Sequence, residues 1–137
     1  MSIDPQESAA VTGEVDEPMT DAELRVVCEF LGLTGNWLAE HLGVEDRTWR
    51  RWDAGTAPIP DAVRIEIERL EQITAGIVGE TVRALTHVPH PGVLTYRNDA
   101  EFHAAHPGID YPASWHRAII ARVAQEVPGL PIRYAGG

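Results

Sequence analysis

The chain has 137 residues and a formal net charge of −10, with a hydrophobic fraction of 44% and a single cysteine. This length suits one domain or two small ones, and one cysteine excludes an intramolecular disulfide. Because no apolar run approaches the length of a membrane span and the N-terminus lacks a signal-peptide pattern, we expect a soluble intracellular protein with no membrane partner.

The acidic charge is distributed unevenly along the chain. Five of the 21 acidic residues lie before residue 19, and no basic residue precedes Arg25. Residues 1–18 show no hydrophobic periodicity, so we predict a disordered acidic tail. Three arginines fall within residues 47–51. A local positive patch of this kind is compatible with nucleic-acid binding even on an acidic chain.

Two short helices are predicted after the tail. Thr20 and Glu23 form a capping box that opens the first helix, and Gly32 ends it. The second helix begins at the N-cap residue Thr34 and stops at Gly43.

A third helix, predicted from about residue 45 to 54, has two chemically different faces. At about 100° per residue, Trp49 and Trp52 occupy an arc roughly 60° wide. The opposite arc of about 140° carries charged side chains, namely Asp46, Arg47, Arg50 and Arg51. One face suits a core and the other a polar partner, as a recognition helix requires. The alternative is a solvated surface in which the arginines form salt bridges to Glu45, Asp46 and Asp53.

The remaining pattern changes from α to α+β. A long helical pattern runs from residue 61 to about 85. A strand is then predicted at 93–97, a short helix capped by Asn98, a helix at 114–127, and a last strand at 130–134.

The segment from Leu33 to Gly55 resembles the helix-turn-helix of the phage-repressor (Xre or Cro/C1-type) family. The matching positions are Leu33, Thr34, Leu38, Ala39, Leu42, Gly43, Val44, Trp52, Asp53 and Gly55. From Met19 onward the chain also resembles one subgroup, the anti-CRISPR-associated regulators and an enterobacterial relative of unknown function. That looser resemblance is carried by Ile59-Pro60-Asp61, by Tyr96-Arg97 with Phe102 and Pro107, and by Trp115-His116-Arg117-Ala118.

The resemblance assigns base contacts to three positions of the third helix, which are Asp46, Arg47 and Arg51 here. Arginine can read guanine through two hydrogen bonds. Asp46 either accepts from cytosine or orients Arg50 four residues later, and Arg50 contacts a phosphate or a base.

The start of the second helix is the expected phosphate contact. Thr34 and Asn36, with the helix N-terminus, would hold the DNA backbone. Gly35 stands where the family usually carries glutamine, which removes one expected contact. Trp37 replaces a usual polar residue and either flanks the backbone or packs.

The fold expected from pattern and resemblance is mainly α. It consists of a five-helix, lambda-repressor-like helix-turn-helix bundle at residues 19–87 and a small α+β dimerisation unit at 88–137. Trp115, Ile119 and Val123 are the expected dimer contacts.

The resemblance implies a cytoplasmic, nucleoid-associated repressor. A homodimer would bind an inverted repeat in double-stranded DNA, with recognition helices about 34–36 Å apart. The subgroup further implies autorepression, and the protein's own messenger RNA as a second partner.

Other functional classes are weighed against this one. An antitoxin that neutralises a protein toxin and an adaptor that has lost DNA binding both stay open. The pairs His87/His90 and His103/His106 lack a completing cysteine or acidic cluster, so we predict no metal site and no cofactor. No motif places a nucleophile or a phosphate loop, so no catalytic residue is expected.

Overall fold

The computed structural model describes residues 17–136, and this part of the chain is mainly helical. Its helices are α1 (Asp21–Leu31), α2 (Gly35–Leu42), α3 (Asp46–Asp53), α4 (Asp61–Thr86), α5 (Asp99–Ala105) and α6 (Ala113–Glu126). Strands β1 (Val93–Thr95) and β2 (Ile132–Tyr134) pair in parallel, with Val93 opposite Ile132. The predicted fold class is therefore confirmed.

Almost all of the predicted acidic tail lies outside the described residues. No helix between residues 17 and 136 is long and apolar enough to cross a membrane.

The predicted helix ends of the first half are confirmed. Thr20 Oγ1 accepts the Glu23 amide at 3.0 Å, and the Glu23 carboxylate accepts the Thr20 amide at 2.8 Å. Thr34 caps α2 through the Trp37 amide at 3.2 Å. Gly32 and Gly43 end α1 and α2 with φ near 70°, a conformation that glycine adopts at little cost.

The structure corrects the expected number of helices in the first unit. Residues 19–87 contain four helices and not the five of the expected lambda-repressor-like bundle. The last of them, Asp61–Thr86, is one unbroken helix of 26 residues, as the periodic pattern predicts. Its buried side chains keep helical spacing along its length, namely Val63, Ile67, Leu70, Thr74 and Val78. The helix passes through Gly76, because a glycine in an otherwise regular apolar pattern only weakens a helix.

The last helix packs against the first half of the chain. Ser114 Oγ donates to the Gly32 carbonyl at 2.5 Å. Trp115, Ile119 and Val123 are 4%, 3% and 0% exposed within a single chain, in the same core as α1 and α4. These three side chains were expected to contact a second subunit. Their surface is already covered within one chain, so they are not available for contact with a second subunit in this structure.

One hydrogen bond links α6 to α4 inside this core. Trp115 Nε1 donates to Thr74 Oγ1 at 3.0 Å, and the Thr74 hydroxyl donates to the Leu70 carbonyl at 2.7 Å. We expect Thr74→Val to lower the free energy of unfolding by about 1–3 kcal/mol, because the indole N–H stays buried without an acceptor. Urea denaturation measures the loss.

Thr81→Val is the matched control for that substitution. Thr81 lies on the same helix, is half-buried, and donates to the Ile77 carbonyl without serving an indole. We expect a smaller loss there, and equal losses in the two variants would contradict the role assigned to Thr74.

Glu66 on α4 holds α2 in place. Its carboxylate accepts two hydrogen bonds from Arg69, at 2.7 and 2.8 Å, and lies 2.7 Å from Nε2 of His41 on α2. The bonds from Arg69, with a further contribution from His41, lower the pKa of Glu66 from 4.5 to about 2. A carboxylate with a lowered pKa stabilises the fold above its unfolded-state pKa and loses that effect as the pH falls through the folded-state pKa.

We therefore expect Glu66→Gln to lower the free energy of unfolding at neutral pH, by an amount that shrinks as the pH falls from 4.5 towards 2. Urea denaturation of both proteins across this range measures the difference. Glu68→Gln is the control, because among residues 17–136 Glu68 pairs with Arg64 alone, at an exposed position, where such pairs contribute about 0.3–0.5 kcal/mol. A difference that does not change with pH would contradict the account.

Candidate nucleic-acid interface

Helix α3 has the two faces that its sequence predicts. Trp49 and Trp52 are 7% and 6% exposed, and their rings meet edge to face with centroids 6.1 Å apart. Asp46 and all three arginines of the helix are exposed. The buried indoles anchor α3, and its charged face points to solvent.

The arginines of α3 are not held by nearby carboxylates. Within residues 17–136, the guanidinium groups of Arg47, Arg50 and Arg51 make no hydrogen bond and no ion pair. Asp46 makes no ion pair with Arg50, so it does not orient that side chain in this structure. The salt-bridged surface weighed as the alternative is therefore absent from the described part of the chain.

Asp53, the acidic residue at the C-terminal end of α3, is paired elsewhere. Arg25 on α1 donates to its two oxygens at 3.0 Å (Nε) and 2.7 Å (Nη2). This bond to Asp53 also raises the pKa of Arg25. The pair fixes α1 to α3 and leaves the α3 arginines available, a link that sequence reasoning missed because 28 residues separate its members.

The start of α2 lies beside α3. Asn36 is exposed, and the Thr34 hydroxyl is used as the cap of α2. Gly35 lies against the indole of Trp49, where an added Cβ would sit 2.5 Å from Nε1. A larger side chain in place of Gly35 would therefore displace Trp49, which gives a physical reason for the departure from the family pattern.

Trp37 packs and does not face the solvent side of α2. Its Nε1 donates to the Asp110 carbonyl at 2.8 Å, and its ring stacks on His41 and on Tyr111. This resolves the two roles left open for Trp37 in favour of packing.

His103, His106 and the cysteine have structural surroundings, whereas His87 and His90 are exposed. His103 Nε2 bonds the Tyr111 carbonyl at 2.7 Å, and His106 Nε2 lies 2.9 Å from the Tyr96 hydroxyl. In the described residues no three His, Cys, Asp or Glu side chains are grouped to hold a metal ion. Burial raises the pKa of the Cys28 thiol to about 12, so it stays protonated and is a poor nucleophile.

Comparison with known proteins gives two matches. A profile of the Aca2/YdiL-like family matches residues 19–123. The chain is also similar to the "Aca2 repressor" of Pectobacterium phage ZF40. The two are 28% identical over 113 residues, which cover 82% of this chain and 91% of the relative.

Proposed function

Because the chain belongs to the Aca2/YdiL-like family, we propose that it is a sequence-specific DNA-binding repressor of transcription that binds an inverted repeat as a homodimer. The similar phage protein is named a repressor, which supports the regulatory class. In this proposal α3 enters the major groove, and the bound protein blocks access of RNA polymerase to the promoter, including that of its own operon.

Among the described residues, the proposal rests mainly on the exposed, unpaired arginines of α3. Its charged face is exposed, and its three arginines have no partner between residues 17 and 136. Burying Trp49 and Trp52 fixes the helix, so the arginines are presented from a rigid support. Of these, Arg47 and Arg51 take the base-reading role and Arg50 contacts phosphate or base. Asp46 accepts from a base, and Thr34 and Asn36 lie at the phosphate backbone.

The net charge limits how such a protein can bind. At −10, long-range attraction to DNA is weak, so affinity has to come from the local arginine face and from base contacts. The proposal therefore includes weak binding to unrelated DNA and a marked loss of affinity with added salt.

The dimer contact is proposed for the exposed apolar surface of the two-stranded sheet. Leu94 is 55% exposed, Ile132 44% and Tyr134 37%. In the register of the paired strands, Ile132 and Tyr134 share one face and Leu94 lies on the other. Exposed apolar side chains of this kind are typical of protein contacts. From the family resemblance we also propose that the protein binds its own messenger RNA.

Selection of bound duplexes from random DNA tests the proposal. A two-fold symmetric consensus, with sedimentation at the mass of a dimer, is the expected result. An asymmetric consensus would contradict the homodimer. Enrichment of no sequence would contradict DNA recognition and favour the adaptor function.

A further inference from the structure

Trp49 has a polar atom that the fold does not use. The residue is only 7% exposed, yet its Nε1 makes no hydrogen bond to any residue between 17 and 136. In that part of the chain no fully buried side-chain nitrogen or oxygen lacks a partner. The Trp49 N–H therefore reaches solvent, and by the same reasoning so does that of Trp52, whereas the indole N–H groups of Trp37 and Trp115 donate to Asp110 and Thr74.

This N–H lies at the start of α2. Trp49, Thr34 and Gly35 line one open cleft of about 530 Å³, and the indole nitrogen occupies the space that a side chain at position 35 would need. The first amide N–H groups of a helix have no acceptor within the helix. In α2, the Thr34 hydroxyl accepts the N–H of Trp37 and the Thr34 carbonyl accepts that of Leu38. The amides of Gly35 and Asn36 and the indole N–H are thus neighbouring donors at the positive end of the helix dipole.

We propose that the indole N–H of Trp49 donates a hydrogen bond to a DNA backbone phosphate at the start of α2, in the space that Gly35 leaves open. This inference rests on the proposed function, because the phosphate is brought there by the duplex that the α3 arginines bind. Trp49 then has two roles: its ring anchors α3, and its N–H fixes the register of the backbone against α2.

The charges in the cleft select a duplex phosphate over a free anion. Asp53 is neutralised by Arg25, but Glu29 also lines the cleft and repels a free anion. A phosphate group held in place by contacts elsewhere on the duplex can still accept the N–H bond, because its position is already fixed. Inorganic phosphate alone is therefore expected not to bind.

The test compares the affinities of the wild-type protein and of two variants at position 49 for the duplex that selection from random DNA yields. Trp49→Phe removes the N–H, and 3-benzothienylalanine at position 49 keeps the bicyclic ring while removing the donor. We expect about a three- to tenfold loss of affinity in the benzothienyl variant. The loss for Trp49→Phe should be at least as large, because that substitution also removes part of the ring that anchors α3. The dependence of affinity on salt should keep its slope, because a neutral donor releases no additional counterion.

NMR of the indole N–H groups of the wild-type protein gives an independent measurement. If Trp49 only supported the fold, its N–H chemical shift would not change when DNA binds. The Trp49 N–H signal should shift downfield on adding the duplex, while the signals of Trp37 and Trp115 stay in place. Unchanged affinity in the benzothienyl variant, or an unmoved Trp49 signal in the bound state, would overturn the inference and leave the proposed function intact. If the wild-type chain binds no duplex, both fail.

Discussion

Replacing Arg47 and Arg51 together by alanine is expected to abolish specific DNA binding. Each bidentate contact between arginine and guanine contributes about 1–3 kcal/mol of discrimination. Because about 1.4 kcal/mol corresponds to a tenfold change, the double variant should lose between about 30-fold and about 20,000-fold in affinity for its selected duplex. Fluorescence anisotropy at fixed salt measures this loss.

The loss should occur without loss of structure. Neither guanidinium group bonds to any residue between 17 and 136, so the melting temperature and the helical circular dichroism should stay close to wild type. The matched control is the double variant Arg64→Ala with Arg83→Ala, which removes the same charge from α4. If the control weakens binding as much as the α3 variant, the effect is one of net charge and the specific role of α3 is contradicted.

Gly32→Ala is expected to destabilise the fold far more than Gly43→Ala. Both glycines end a helix with φ at 70°, where alanine costs about 1–2 kcal/mol. A Cβ on Gly43 meets nothing within 4 Å, whereas one on Gly32 would overlap the backbone carbonyl of Ser114. That overlap also disturbs the hydrogen bond from Ser114 to the Gly32 carbonyl.

Urea denaturation should therefore show a loss of about 1–2 kcal/mol for Gly43→Ala and about 2–5 kcal/mol for Gly32→Ala. The difference isolates the contact between the α1–α2 turn and α6. Equal losses would mean that α6 does not pack tightly against this turn, and the shared core described above would be contradicted.

The helix ends and the two faces of α3 could be predicted from the sequence because they depend on neighbouring residues. The capping box at Thr20 and the glycine ends at Gly32 and Gly43 are local interactions. The separation of Trp49 from Arg50 around α3 follows from helical geometry alone. These features need no knowledge of the rest of the fold.

Contacts between distant segments could not be predicted in this way. Periodicity correctly placed Trp115 on a buried face, but it does not tell which surface covers that face, and the cover is the chain's own α4 and not a second subunit. The pairing of Arg25 with Asp53 and the parallel pairing of β1 with β2 leave no mark in local spacing. Gly35 departs from the family pattern because the Trp49 indole occupies the space beside it, and local spacing does not predict where that indole lies.

The most direct test of the arginine face of α3 as a DNA-binding surface is the affinity of the wild-type protein for the DNA upstream of its own gene, measured across a salt series. We expect nanomolar binding at low salt and a steep linear fall of log affinity with log salt concentration between about 50 and 200 mM. No binding at the lowest salt, or an affinity that does not change with salt, would contradict the account.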